Sequence, residues 1–226
     1  MVLLVGDAIQ TFIDAINELL GKKLPPVASW PLAIAGGGAL LILVGDQMVV
    51  RRFAVRVSRQ AQELDREFMR GADQPKRPER SGSPESLVDW NTMGRQGRAV
   101  VAGGPRKADI ERLLEGEAME PIRIFVGLDT ERDDAPDFEE MAAVAVEEMR
   151  RTGAFERSHI AVMSAAGTGW INDFHTSGFE FVTRGDSAVV AMQYSYLPSA
   201  YSYLADRKNP VHSSRVLIEA IRSELE

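Results

Sequence analysis

The stretch His159-Ile-Ala-Val-Met-Ser-Ala-Ala-Gly-Thr-Gly-Trp170 decides the fold class of this chain. Its first six residues form a short apolar run that is typical of a buried strand, and a glycine-rich loop follows directly. Open α/β sheets bind ligands at the carboxyl ends of their strands, where such loops present backbone N–H groups. The stretch therefore predicts a strand that ends in a ligand-binding loop.

Strand and helix patterns alternate around this stretch. The predicted segments are a helix over 105–115, a strand over 122–128, a helix over 136–152, strands over 159–164 and 187–193, and a helix over 213–225. Pro136 marks the start of the second helix and Gly153 its end. Such alternation indicates parallel βαβ units. The predicted fold class is therefore α/β, with a parallel sheet that helices cover on both faces.

Composition excludes several classes of function. The chain has 226 residues and a formal net charge of −7, which argues against a nucleic-acid partner, because such binders carry clustered Lys and Arg. It has no cysteine, so disulfides and cysteine-bound zinc are excluded. His159, His175 and His212 show no metal-binding spacing. We therefore expect no metal and no cofactor.

An uncharged apolar run precedes this domain. Residues 30–50 read WPLAIAGGGALLILVGDQMVV, and Asp46 is the first charge. About 20 such residues cross a bilayer core. The run predicts a transmembrane helix, and a buried helix of a soluble protein is the alternative. Its small residues, Gly36 to Gly38 among them, would let it pack closely against partner helices in the membrane.

The charges that flank this run predict its orientation. Basic residues lie on both sides, with more of them after the run: Lys22 and Lys23 before it, and Arg51, Arg52, Arg56 and Arg59 after it. A transmembrane helix is oriented so that the flank with more basic residues lies in the cytoplasm. We therefore expect an inner or plasma membrane protein that contacts membrane lipid and has a cytoplasmic soluble domain. The predicted parts are an amphipathic helix and loop (1–27), a transmembrane helix with a cytoplasmic extension (28–70), a solvated linker (71–84) and the α/β domain (85–226).

Six motifs carry a family resemblance. They are Gly94-Arg-Gln-Gly-Arg98, Gly103-Gly-Pro105, Ile122-Arg-Ile-Phe-Val-Gly-Leu-Asp129, Arg151-Thr-Gly-Ala-Phe155, Gly167-Thr-Gly-Trp170 and Ala191-Met-Gln-Tyr-Ser-Tyr-Leu-Pro-Ser199. With them, residues 28–224 resemble a bacterial family of integral-membrane α/β-hydrolases, in which transmembrane helices precede a catalytic domain with a Ser-Asp-His triad. Ala165-Ala166 and residues 171–182 depart from the family pattern.

The resemblance implies a nucleophilic serine in a G-x-S-x-G elbow, on a strand that would follow the helix ending near Glu226. This sequence contains no such elbow, and neither Ser164 nor Ser195 lies between suitably spaced glycines. We therefore assign no catalytic residue here. The chain is interpreted as a partial α/β-hydrolase-like sheet, an inactive fragment in which strand 187–193 leaves an open edge.

The complete protein is predicted to be a membrane-anchored serine hydrolase. It would cleave an ester or amide, or transfer an acyl group, and its substrate would be lipid-linked. The alternative is a non-catalytic membrane-tethered module that binds a lipid or a partner.

Candidate binding residues follow two of the strands. In an α/β-hydrolase, the loop after the third strand supplies an oxyanion-hole N–H. The resemblance gives Thr168, Gly169 and Trp170 this role, with Gly167 permitting the turn. The alternative is a plain turn with Trp170 in the core. Tyr194, Ser195 and Tyr196 are expected to line an acyl pocket or to pack between layers. Asp173 and His175 are not interpreted as a catalytic dyad, because their segment is predicted to be a loop.

Overall fold

The computed structural model describes residues 18, 59–129, 135–199, 201–202 and 208–226. The chain divides into two units, residues 1–55 and 56–226, and all elements named below belong to the second unit. The predicted transmembrane run lies outside the described residues, as does the amphipathic segment before it apart from Glu18. No helix in the described ranges is long and apolar enough to cross a membrane.

Three strands and five helices follow a helical segment at 59–66 in the described part of the second unit. They are α1 (Arg95–Ala102), α2 (Lys107–Leu114), β1 (Ile122–Val126), α3 (Phe138–Thr152), β2 (His159–Val162), α4 (Asp173–Val182), β3 (Ser187–Met192) and α5 (Asn209–Leu225). The predicted strands and helices are confirmed within a few residues at their ends. α1 was not predicted, and the prediction of a loop around Asp173 and His175 is wrong, because both residues lie on α4.

The sheet is parallel, with the strand order β1-β3-β2. β3 is therefore central, and the expectation that it forms the open edge is wrong. Every residue of β1 and β3 is buried, whereas β2 has no buried residue. The strand predicted at 159–164 is confirmed, but the prediction that it is buried is wrong, because β2 has β3 as its partner on one side only among the described strands. The chain crosses the sheet from β1 to β2 and then turns back to β3. Because parallel crossovers are right-handed, these two opposite steps place α3 and α4 on opposite faces.

The face that carries α3 and α5 is apolar. Asp137 caps α3 by accepting a hydrogen bond from the N–H of Glu140, and Gly153 ends the helix in the left-handed conformation, with φ of 72°. α3 and α5 pack against each other and against the sheet. The buried side chains in this core include Ile122, Ile124, Ala142, Ala145, Met149, Val190, Leu217 and Ile221. Their spacing matches the helix and strand periods, which is why the sequence predicted these elements.

The face that carries α1 and α4 is polar at its centre. The guanidinium of Arg123, on β1, donates to both carboxylate oxygens of Glu180 at 2.7 Å and to Asp173 at 3.1 Å. Glu180 and Thr176 are the buried residues of α4, whereas Phe174 is 89% exposed. This helix turns its polar side inward, so a search for an apolar face could not find it.

The predicted linker packs against β1 in its second half. The N–H of Ser81 donates to the carbonyl oxygen of Arg123, whose own N–H donates to the carbonyl of Glu79. Arg80 and Ser81 are buried. The expectation of a solvated tether is therefore wrong for this part of 71–84. Its Pro, Gly and Ser content indicated disorder, but backbone pairing with a strand does not require apolar side chains.

The helical segment 59–66 is held to the domain by Arg98. This buried guanidinium donates to the carbonyl oxygens of Asp65, Arg66 and Glu67 at 2.8–3.0 Å, and also to the carbonyl of Met93. The last carbonyls of a helix have no partner within the helix, so a cation placed there stabilises its end. The segment entering the domain is thereby fixed to α1.

Candidate functional site

Three loops meet at one edge of the sheet. Because the strands are parallel, the loops after β1 (127–129), β2 (163–172) and β3 (193–199) leave from the same end, where α/β sheets bind ligands. The loops also bond to each other. The N–H of Ser195 donates to the carbonyl of Gly167, and the N–H of Gly167 donates to the Oγ of Ser199. The loop that carries the glycines is therefore held in place by the loop after the central strand.

The glycines of this loop fit positions that larger residues cannot occupy. Gly169 has φ of +83°, and a Cβ there would lie 2.8 Å from Cζ of Phe125. A Cβ on Gly167 would lie 2.0 Å from the carbonyl oxygen of Leu197. The N–H of Gly169 donates to the carbonyl of Ala166 at 2.8 Å, which closes a tight turn. Gly167 is thus required by the close approach of the Leu197 backbone, and Gly169 by its positive φ and by the ring of Phe125.

The hydrogen bonds of this loop reduce the number of candidate oxyanion donors. The N–H groups of Gly167 and Gly169 already have acceptors within the two loops. The N–H groups of Thr168 and Trp170 have no acceptor among the residues that the structure describes. Trp170 is 52% exposed, so the alternative in which its ring fills the core is wrong. In this conformation the loop offers two N–H groups, those of Thr168 and Trp170.

The three residues after β3 have separate surroundings. Tyr194 is buried, and its hydroxyl lies 3.3 Å from the Oγ of Ser199. Ser195 accepts a hydrogen bond from the N–H of Leu197. Tyr196 extends toward β1, and its hydroxyl donates to the carbonyl of Asp129. The structure therefore places Tyr194 in the packed core and Tyr196, which is half-buried against that core, near the β1 loop.

Tyr196 borders a cavity of about 320 Å³ at the end of β1. Small-ligand pockets begin at about this size. The other lining residues come from the β1 loop and the start of α3: Val126, Gly127, Leu128, Asp129, Ala135, Pro136, Asp137, Glu140, Met141 and Val144. Three of these described residues are carboxylates, Asp129, Asp137 and Glu140.

Asp65 and Gln193 are two residues of this edge that sequence reasoning missed. The amide of Gln193, which follows β3, donates to Oδ2 of Asp65 at 3.0 Å and accepts from the N–H of Leu128 at 3.2 Å. Oδ1 of Asp65 accepts from the N–H of Arg95 at the start of α1. Burial raises the pKa of Asp65, and the hydrogen bonds only partly offset this effect. No sequence signal identified this carboxylate, because it belongs to a helical segment distant along the chain.

Histidine-based catalysis has no support at this edge. His175 lies on α4, and the neighbouring Asp173 bonds Arg123, so these two residues form no dyad. His159 contacts the carbonyl of Asp186, and His212 lies 3.3 Å from Glu139. No hydrogen bond between a serine and a histidine occurs in the described ranges. They also contain no cluster of three metal-binding side chains.

Comparison with known families agrees with this architecture. A family model described as "Alpha/beta-hydrolase family" matches residues 122–226, which include the whole sheet. A second model, described as "Alpha/beta-hydrolase family N-terminus", matches residues 1–105. Comparisons with curated proteins and with solved structures find no match. The two family models together extend over nearly the whole sequence, and the chain therefore belongs to an α/β-hydrolase family.

Proposed function

We propose that this chain supplies the oxyanion-binding and substrate-binding part of a membrane-anchored serine hydrolase. The reaction is hydrolysis of an ester or amide, or acyl transfer. One observation carries the proposal: a loop at the carboxyl edge of the sheet, fixed by Gly167 and Gly169, leaves the N–H groups of Thr168 and Trp170 without acceptors among the described residues. Membership of an α/β-hydrolase family supports the same assignment.

The two N–H groups have a defined role in this chemistry. When a nucleophile attacks an acyl carbon, negative charge develops on the carbonyl oxygen. Backbone donors that are already oriented stabilise that charge without having to reorganise. The turn closed by Gly169 and the bonds from Gly167 to the neighbouring loop hold the peptide units around Thr168 in such a fixed arrangement.

The nucleophile comes from outside residues 1–226 in this proposal. The sequence has no G-x-S-x-G elbow. Two serines hydrogen-bond the glycine loop, Ser195 and Ser199. The hydroxyl of Ser195 is engaged by Leu197 and that of Ser199 by Gly167 and Tyr194, and neither serine bonds a histidine among the described residues. A serine in this setting has no base to activate it.

The substrate is proposed to be an ester or amide that is linked to a lipid. The cavity beside Tyr196 has a volume of about 320 Å³, the size at which pockets begin to hold small ligands. The uncharged run at residues 30–44 supports a membrane anchor, and an anchored enzyme meets lipid-linked substrates.

Kinetics of the protein that also contains the nucleophile test this assignment. Gly169→Val places a β-branched side chain at a position of positive φ, where it meets the ring of Phe125, and is expected to distort the loop. Loss of one oxyanion donor lowers kcat by about 10²–10³ and changes KM much less. Thr168→Ala retains its N–H and is expected to keep kcat. Gly178→Ala is the matched control, because nothing lies within 4 Å of a Cβ added there.

A folded Gly169→Val enzyme with unchanged kcat would show that the loop is only a turn. The alternative, a membrane-tethered module that binds a lipid or a partner without catalysis, would then be favoured.

A further inference from the structure

A second cavity lies at the opposite end of β1 from the glycine loop, beside residue 122. Its volume is about 380 Å³. Four basic residues line it, Lys76, Arg77, Arg80 and Arg106, together with two acidic ones, Asp73 and Glu120. The formal charge of the wall is therefore +2, although the whole chain carries −7. Positive charge is concentrated at this point of an acidic protein.

Arg80 is the buried cation of this wall. It is only 4% exposed, and its guanidinium donates to the carbonyl oxygens of Gly103 and Pro105. No carboxylate of the described residues pairs with it. Burial lowers the pKa of Arg80 to about 10, and the neighbouring charge of Arg123 adds to this effect. The carboxylates of Glu180 and Glu120 offset this lowering only in part, because neither forms an ion pair with Arg80.

The carboxylate of Glu120 is bonded to groups other than Arg80. Its Oε2 accepts from Nη1 of Arg77 at 2.7 Å and from the N–H of Lys107 at 3.0 Å. Its Oε1 is buried and has no hydrogen-bond partner among the described residues. Among the described residues, the wall thus holds a buried guanidinium that forms no ion pair, that of Arg80, and a buried acceptor that receives no hydrogen bond, Oε1 of Glu120.

We propose that this cavity binds a phosphate group. A hydrogen phosphate or a phosphomonoester carries the two negative charges that the wall lacks, and guanidinium and ammonium groups are its usual protein ligands. The cavity exceeds the size of phosphate alone, so the group is borne by a larger molecule. That molecule is either a soluble phosphate ester or a phospholipid headgroup. The site lies away from the glycine loop, so it does not depend on the proposed hydrolase function.

Calorimetric titration of the full chain in detergent micelles tests the proposal, with inorganic phosphate, glycerol 3-phosphate and dihexanoyl phosphatidic acid as probes. The double variant Lys76→Gln/Arg106→Gln removes two exposed cations of the cavity without disturbing buried Arg80. The matched control is Arg112→Gln/Arg215→Gln, which removes two exposed cations that do not line the cavity.

We expect saturable phosphate binding that weakens about tenfold or more in Lys76→Gln/Arg106→Gln and stays within about twofold in the control. Tighter binding of phosphatidic acid than of glycerol 3-phosphate would assign the site to a lipid headgroup. Equal or weaker binding of phosphatidic acid would assign it to a soluble ester. Absence of saturable binding of all three probes, or equal weakening in both double variants, would overturn the proposal.

Discussion

The buried ion pair between Arg123 and Glu180 gives the sharpest prediction about stability. Both side chains are within 1% of complete burial, and two bonds of 2.7 Å join them. Glu180→Gln removes the charge while keeping the shape. Arg123 is then left with Asp173, whose side chain is 64% exposed, and with the carbonyl of Val100. Removing one partner of such a pair costs about 3–5 kcal/mol, because the other charge stays buried.

The expected loss is large compared with the total free energy of unfolding. A domain of this kind unfolds with a free energy of about 5–15 kcal/mol, so Glu180→Gln is expected to lose about a fifth or more of its stability. Asp173→Asn touches the same guanidinium from the exposed side and is expected to cost at most about 1 kcal/mol. Arg123→Met/Glu180→Met replaces both charges with apolar groups and is expected to recover most of the loss.

Urea unfolding followed by tryptophan fluorescence measures the free energy of unfolding of each of these variants. The reasoning is refuted if Glu180→Gln unfolds within about 1 kcal/mol of the unchanged protein, or if Asp173→Asn is as damaging as Glu180→Gln.

Three further predictions concern the loop, a buried acid and the anchor. Gly167→Ala should destabilise the protein by about 1–3 kcal/mol, because its Cβ would overlap the carbonyl oxygen of Leu197. Gly178→Ala in α4 should stabilise the protein by about 0.5–1 kcal/mol. Shifts of the urea midpoint in the same direction for both variants would contradict this. Burial raises the pKa of Asp65, so the folded state binds the proton of this carboxyl more tightly than the unfolded state does. The free energy of unfolding, relative to that of Asp65→Asn, should therefore fall as the pH rises from 3.8 through the raised pKa. A constant difference between the two proteins in unfolding curves from pH 4 to 7 would contradict this. The full chain should stay with membranes after an alkaline carbonate wash, with Leu41→Arg weakening retention and residues 56–226 released; recovery of the unchanged chain in the wash would argue against an anchor.

The sequence predicted the parts of the fold that follow periodic apolar patterns. The strands at 122–126 and 187–192 are apolar runs that are buried throughout, and the helix α3 has buried side chains at helical spacing. α4 was missed because its buried side chains, Thr176 and Glu180, are polar and become intelligible only beside Arg123. The order of the strands was also beyond local patterns, since the position of β3 between its neighbours depends on long-range pairing.

The candidate site shows the same division. The glycines at 167 and 169 could be recognised, because a glycine-rich loop after a strand has a physical reason for its composition. Which N–H groups remain free depends on contacts with Ser199 and Ala166, which no spacing reveals. Asp65 reaches Gln193 from more than a hundred residues away along the chain, so only the folded structure joins them.

Labelling with a fluorophosphonate probe, which modifies activated serines, tests the central claim most directly. The natural protein that carries this sequence would be labelled in its native membrane, digested and mapped by mass spectrometry. The account predicts one labelled serine, outside residues 1–226, and loss of the label in Gly169→Val. Labelling of Ser164 or Ser195, or no labelling of the native protein at all, would contradict it.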